Sequence, residues 1–383
     1  RVLHTEQRDS VTCNNIIIIL WTGEKLLWYR SIQPPHPMMK GRRSHESDKK
    51  LSNTVPSVAA AVLKGHQGPV QTVVFTADGK YSLTGGNDRT IRLFNPYRID
   101  PAYYSSGSFQ EQIKDVPHAL PIQTYSGFHA YSVSSIALDE SSSTLLSSSD
   151  KTMVVSDIST GQLIRKIRGH DGRINSVACS SDASMLLSGS YDATVKVWDG
   201  RTKSQDPIQT FQEARDSISK VLLLMESKEI ISCSIDGCVR IYDVRKGQLR
   251  VDDSSGTAIT GMCLSHDGNC VVVSCLNGNI YLLEKDSGQV LNTYDSKHHT
   301  SGTYALDCAI TANDESIVSG SEDGKVVLYD LVDGSMSQIL EGPTKPTCSV
   351  ATHPKCASVL LSGSYDGSAV VWSNPSEIGK WER

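Results

Sequence analysis

The sequence predicts an all-β chain folded as a seven-bladed propeller, closed into a ring by a strand from near the N-terminus. Three observations predict it. A turn residue followed six positions later by a mostly aromatic or apolar one recurs at Asp88, Asp150, Asp192, Asp236, Asn277, Asp323 and Asp366. The steps are about 41 to 46 residues long after a first step of about 62. Short runs rich in β-branched and aromatic residues, bounded by Gly, Asp and Ser, lie between these turns. One further run, residues 57–64, precedes the first repeat and has no repeat of its own to join.

In chain order, residues 1–55 match no blade and are expected to be a disordered extension or a mispredicted stretch. Met38 or Met39 is the expected true start, which would make 1–37 upstream sequence. The following Lys40, Arg42, Arg43, Lys49 and Lys50 read either as a solvated tail or as a nuclear-import signal. Residues 57–64 are placed to be the outer strand of the last blade, clasping the chain's beginning to its end near Trp372. The propeller is expected over 56–373, with an insertion at about 97–120. Tyr97, Tyr103, Tyr104 and Phe109 there make the insertion either a partner-binding loop or a disordered addition. Residues 374–383 are read as a tail.

Composition narrows the function classes. A formal net charge of −5 and a pI near 6.1 give no basic field, so sequence-specific nucleic-acid binding is not expected. The ten cysteines form no Cys-x-x-Cys pair and are read as reduced, mostly buried thiols of a cytoplasmic or nuclear protein. The apolar run 16–21 is too short to cross a bilayer, which needs about 20 residues, and lacks the flanks of a signal peptide. No phosphate loop, nucleophile elbow or zinc motif occurs, so neither an enzyme nor a cofactor is expected. His298 and His299, with Asp307 and Cys308, could suggest a metal or nucleophile site, but His299 falls where a blade's incoming loop carries histidine.

The best-formed unit runs from Gly169 and His170 through Ser188 and Asp192 to Trp198 and Asp199, and resembles the Gly-His to Trp-Asp signature of WD repeats. That resemblance implies structural blade residues at His66, Asp88, His129, Asp150, His170, Asp192, Trp198, Asp236, Asp323, Asp366 and Trp372, with His, Asp, Ser or Thr and Trp bonded inside a blade. The fourth unit departs from the pattern, with Glu213, Ala214, Arg215 and Asp216 where Gly-His is expected. Together with the stretch from Ser234 to Leu249, it resembles the mitogen-activated protein kinase organizer family. Asn95 to Arg98 and Ser321 to Val332 add to the likeness. The resemblance implies a monomeric scaffold that gathers kinase-cascade components, binds a hypoxia-factor prolyl hydroxylase and occurs in spliceosomal complexes, in cytoplasm and nucleus.

Each turn residue preceding the structural Asp is expected on one face of the ring. Tyr191, Ile235, Leu276 and Tyr365, with Arg173 and Arg215, are the candidate partner-binding residues there. On the opposite face, the boxes ending in Arg201 and Arg245 resemble those by which WD-repeat substrate receptors dock on a cullin ubiquitin-ligase adaptor. That is the alternative function.

Overall fold

The computed structural model describes residues 18–22, 25–29, 55–98, 116–224, 228–244, 246–252, 256–295 and 299–375. The chain divides into two units, 1–48 and 49–383. In the first, Ile18–Thr22 pairs antiparallel with Lys25–Tyr29. Residues 30–54, with Met38, Met39 and the basic cluster, lie outside the described residues, as do 99–115 and 376–383.

The second unit is a ring of seven antiparallel blades. From the axis outward, blade 1 is Val70–Phe75, Ser82–Gly86, Ile91–Phe94 and Pro121–Tyr125. Blade 2 is Ser135–Leu138, Thr144–Ser149, Thr152–Asp157 and Leu163–Arg168. Blade 3 is Ile174–Cys179, Met185–Ser190, Val195–Asp199 and Gln209–Phe211. Blade 4 is Ile218–Leu224, Glu229–Ser234, Val239–Asp243 and Gln248–Asp252. Blade 5 is Ile259–Leu264, Cys270–Cys275, Ile280–Glu284 and Val290–Tyr294. Blade 6 is Cys308–Ile310, Ser316–Gly320, Val326–Asp330 and Met336–Leu340. Blade 7 takes Thr347–Thr352, Leu360–Ser364 and Ala369–Ser373 from the C-terminal end and Val58–Leu63 from the N-terminal end.

The core lies between blades, because each sheet is apolar on both faces and buries them against its neighbours. One such layer joins Leu146, Met153, Val155 and Ile167 of blade 2 to Ile174, Val177, Leu186 and Trp198 of blade 3. Second strands carry small residues where the next blade presses in. At Gly189 an added Cβ would lie 2.5 Å from Ile218 Cγ2, so glycine there lets blades 3 and 4 close on each other. Inner strands of blades 1, 3, 4, 5 and 7 each carry a register shift at their start, a bulge that bends the strand where it meets the axis.

Ring closure follows the sequence expectation and adds to it. Val58–Leu63 pairs antiparallel with Ala369–Ser373. The same strand carries a short parallel fifth strand, His118–Ala119, on its outer edge. Pro117 O accepts from Val62 N at 2.8 Å, and Lys64 Nζ donates to His118 Nε2 at 3.0 Å. The end of the insertion therefore returns to seal the clasp.

Candidate partner-binding face and the networks that hold it

Blade 3 contains the complete bonded set. His170 Nδ1 meets Asp192 at 2.8 Å and its Nε2 meets Ser188 Oγ at 2.7 Å, while Trp198 Nε1 donates to the same hydroxyl at 2.8 Å. Asp192 also accepts from the backbone of Asp171 and from Thr194, so it ties the incoming loop to the turn. Burial works against ionising Asp192, but the bonds from Thr194 and His170 outweigh it and hold its pKa down at about 2. Burial lowers His170 as well. The glycine of Gly-His has its own reason: a Cβ at Gly169 would sit 2.7 Å from the Trp198 ring. Blade 1 repeats the scheme with His66, Asp88 and Thr84 at 3.0 and 2.7 Å. Blade 7 keeps Trp372 on Ser362 at 2.8 Å, while Asp366 bonds Ser368.

Three expected sets differ in the structure. In blade 2, His129 bonds Ser147 at 2.8 Å, but its buried Nδ1 has no partner and Asp150 does not complete the set. The turn there holds only Asp150 and Lys151 between paired strands, one residue fewer than usual. Asp150 consequently takes a left-handed φ of 49°, and Ser149 is a buried strand residue instead of part of the face. In blade 4, where Ala214 replaces histidine, Arg240 does its work. This guanidinium, 2% exposed, donates to Asp236 at 2.7 and 3.2 Å and to Ser234 at 3.0 Å. In blade 6, His299 Nδ1 bonds the Tyr329 hydroxyl at 2.7 Å, while Asp323 pairs with Lys325 at 3.1 Å.

These turns and loops share one face. In blades 1, 3, 4, 5, 6 and 7 the residue before the turn Asp or Asn donates its N–H to the incoming loop, as Tyr191 does to Arg173 O at 2.8 Å and Ile235 to Ser217 O at 2.9 Å. Tyr191 stands 69% exposed and Ile235 37%, with Arg173 and Arg215 exposed beside them. Leu276 and Tyr365 are half-buried. Two aromatic residues that sequence reasoning missed join the face: Tyr131, 63% exposed beyond His129, and Tyr304. Tyr304 packs edge-on against Tyr365, ring centres 5.1 Å apart. Its loop is shaped by Glu322, whose Oε1 accepts the N–H groups of Gly302, Thr303 and Tyr304 at 2.7 to 2.9 Å. Burial opposes the Glu322 charge, but these bonds prevail and lower its pKa.

On the opposite face Arg201 is largely exposed and pairs with Asp182 at 2.9 Å. Its loop is gripped from blade 2: Arg165 donates to the carbonyls of Asp199 at 2.8 Å, of Thr202 at 2.5 Å, and of Ser204. Arg245 lies outside the described residues, as does His298. Asp307 and Cys308 belong to the axial channel, away from the His299 network. Asp307 pairs with Lys220 at 2.5 Å, linking blades 6 and 4 past blade 5. An open pocket of about 410 Å³ in the channel is walled mainly by inner-strand residues such as Phe75, Leu222, Met262 and Val350. Among the described residues no group of three or more His, Cys, Asp or Glu could hold a metal ion, and no helix is long and apolar enough to cross a membrane.

The family model "WD domain, G-beta repeat" matches residues 58–95, 120–157, 161–199 and 334–373, and "Anaphase-promoting complex subunit 4 WD40 domain" matches 222–311. WD repeat domain-containing protein 83 of Rattus norvegicus is 40% identical over 307 residues, covering 80% of this chain and 89% of that protein. The Homo sapiens protein is 39% identical over 313 residues, covering 81% and 91%. A homolog from Dictyostelium discoideum is 29% identical over 338 residues, covering 81% and 96%.

Proposed function

Because the chain belongs to the family of WD repeat domain-containing protein 83, we propose that it is a non-enzymatic scaffold whose turn-and-loop face docks protein partners. One observation carries this reading: the same backbone bond repeats in six blades and presents Tyr191, Ile235, Leu276 and Tyr365 on a common rigid surface. Exposed aromatic side chains on a stiff frame supply contact area at low entropic cost. The organizer resemblance nominates components of the extracellular-signal-regulated kinase cascade, a hypoxia-factor prolyl hydroxylase and spliceosomal proteins as partners, met in cytoplasm and nucleus by a monomer.

The test is affinity purification of the full chain beside a Tyr191→Ala, Ile235→Ala double variant, read by mass spectrometry. Kinase-cascade or splicing proteins recovered with the parent chain and depleted at least fivefold with the variant are expected. An identical partner set from both would overturn the assignment of the face. The exposed Arg201 keeps the ligase-receptor reading as a second one. It predicts that Arg201→Ala combined with Arg245→Ala abolishes co-purification of the cullin adaptor, and recovery of no adaptor by the parent chain removes it.

A further inference from the structure

We propose that Cys263 and Cys308 form a dithiol modification site in the wall of the axial channel, converted to an inter-blade disulfide by a two-electron oxidant of the peroxide class. Cys263 lies on the inner strand of blade 5 and Cys308 on that of blade 6, and both line the channel. Their sulphurs are 3.9 Å apart, the Cys263 thiol donating to Cys308. A disulfide bond of about 2.05 Å needs the two sulphurs to approach by less than about 2 Å.

The backbone brings the two strands together just ahead of the cysteines. A Cβ at Gly261 would lie 2.8 Å from Leu306 O and 3.0 Å from Asp307 Cα, so only glycine permits this approach. Thr260 Oγ1 and Ser274 Oγ both donate to Leu306 O, at 3.0 and 2.8 Å, and pin the crossing. The Lys220 ammonium favours a Cys263 thiolate, while Asp307, which holds that ammonium, works against one. Burial, then the neighbouring Cys308 thiol, push the Cys263 thiol well up against that influence, which makes it slow to react.

The chemistry balances with peroxide as the sole co-reactant. One sulphur attacks a peroxide oxygen, the O–O bond breaks, and a sulfenic acid and water result. The second thiol then attacks that sulphur, the S–S bond forms, the S–O bond breaks, and a second water leaves with the remaining protons. The product cross-links neighbouring blades through their innermost strands.

The experiment treats the folded full chain with hydrogen peroxide, blocks free thiols and maps tryptic peptides without reduction. The expected result is loss of two hydrogens and one cross-linked pair. Fragmentation should place the link between Cys263 and Cys308 and not at Cys270 or Cys275, which share the Cys263 peptide. The thermal midpoint should rise on oxidation and fall back with dithiothreitol. Cys308→Ser should lose both effects, with Cys263→Ser as its replicate should the first fail to fold. Cys263 and Cys308 both remaining alkylatable while other cysteines oxidise would overturn the proposal.

Discussion

Blades 3 and 4 are neighbours in the ring and secure the same turn aspartate by different means. In blade 3 the partner comes from outside the hairpin: His170, on the incoming loop, bridges Asp192 and Ser188. In blade 4 it comes from within, since Arg240 is four residues beyond Asp236 on the next strand. The aspartate is the fixed part, because its carboxylate organises the turn and accepts from the incoming loop in both blades, from Asp171 N at 2.9 Å and Arg215 N at 2.9 Å. The donor beneath it can be replaced. With the guanidinium in that role, the incoming loop of blade 4 needs no inward-pointing side chain, and Arg215 and Asp216 stand exposed. The difference also changes pH response, because an imidazole titrates near neutrality and a guanidinium does not.

The largest expected effect comes from removing the cation of blade 4. Arg240→Ala leaves Asp236 part-buried and unpaired, and should cost about 3 to 5 kcal/mol in denaturant unfolding. A loss below 1 kcal/mol would show that the two blades do not rely on equivalent fastenings. Next in size is the acid response of the histidine blades. Burial, then the Lys166 ammonium, lower His129 to about 4 from 6.5, so the unfolded chain takes up the proton first as pH falls. Stability contributed by neutral His129 is complete above about 6.5 and is lost progressively down to about 4, up to about 3 kcal/mol. Unfolding curves between pH 7 and pH 4 should therefore be less steep in pH for His129→Gln. An unaltered slope would exclude His129 as the titrating group.

Smaller still is Ser188→Ala. It leaves His170 Nε2 and Trp198 Nε1 without their shared acceptor, and should cost about 1 to 3 kcal/mol by the same unfolding measurement. The smallest stability change belongs to Tyr191→Ala. Its side chain stands in solvent, so stability should move by less than about 0.5 kcal/mol while partner recovery falls.

Much of this arrangement was legible in the sequence, for a physical reason. A four-stranded blade repeats its turns at fixed spacing, and a stray β-run before the first repeat has one place to go, so the seven blades and the clasp could be read directly. Local one-residue changes could not. Asp150 carries the acidic turn signal, yet the missing residue beside it moves Ser149 into the strand and leaves His129 half-bonded. Arg240 sits in an alternating strand where a charge reads as solvent-facing, yet in a blade without the histidine it is 2% exposed. Its signal was the absence of Gly-His combined with an arginine four residues past the turn Asp, a spacing shared with Arg92 of blade 1, which pairs with Asp88 at 3.3 Å. Tyr131 and Tyr304 escaped because their exposure depends on how loops stand above the ring. The sequence places neither loop.

The two-residue strand His118–Ala119 bears on how the chain is made. Val58–Leu63 leaves the ribosome well before its main partner, Ala369–Ser373, which follows roughly 300 residues later, at about 5 to 20 residues per second. For that interval an apolar strand has open edges and is exposed to pairing with other nascent chains. His118–Ala119 emerges after only a short further length of synthesis and pairs in parallel with Val62 and Leu63. In the folded ring it covers one edge of that strand, and the C-terminal strand that completes the circle takes the other.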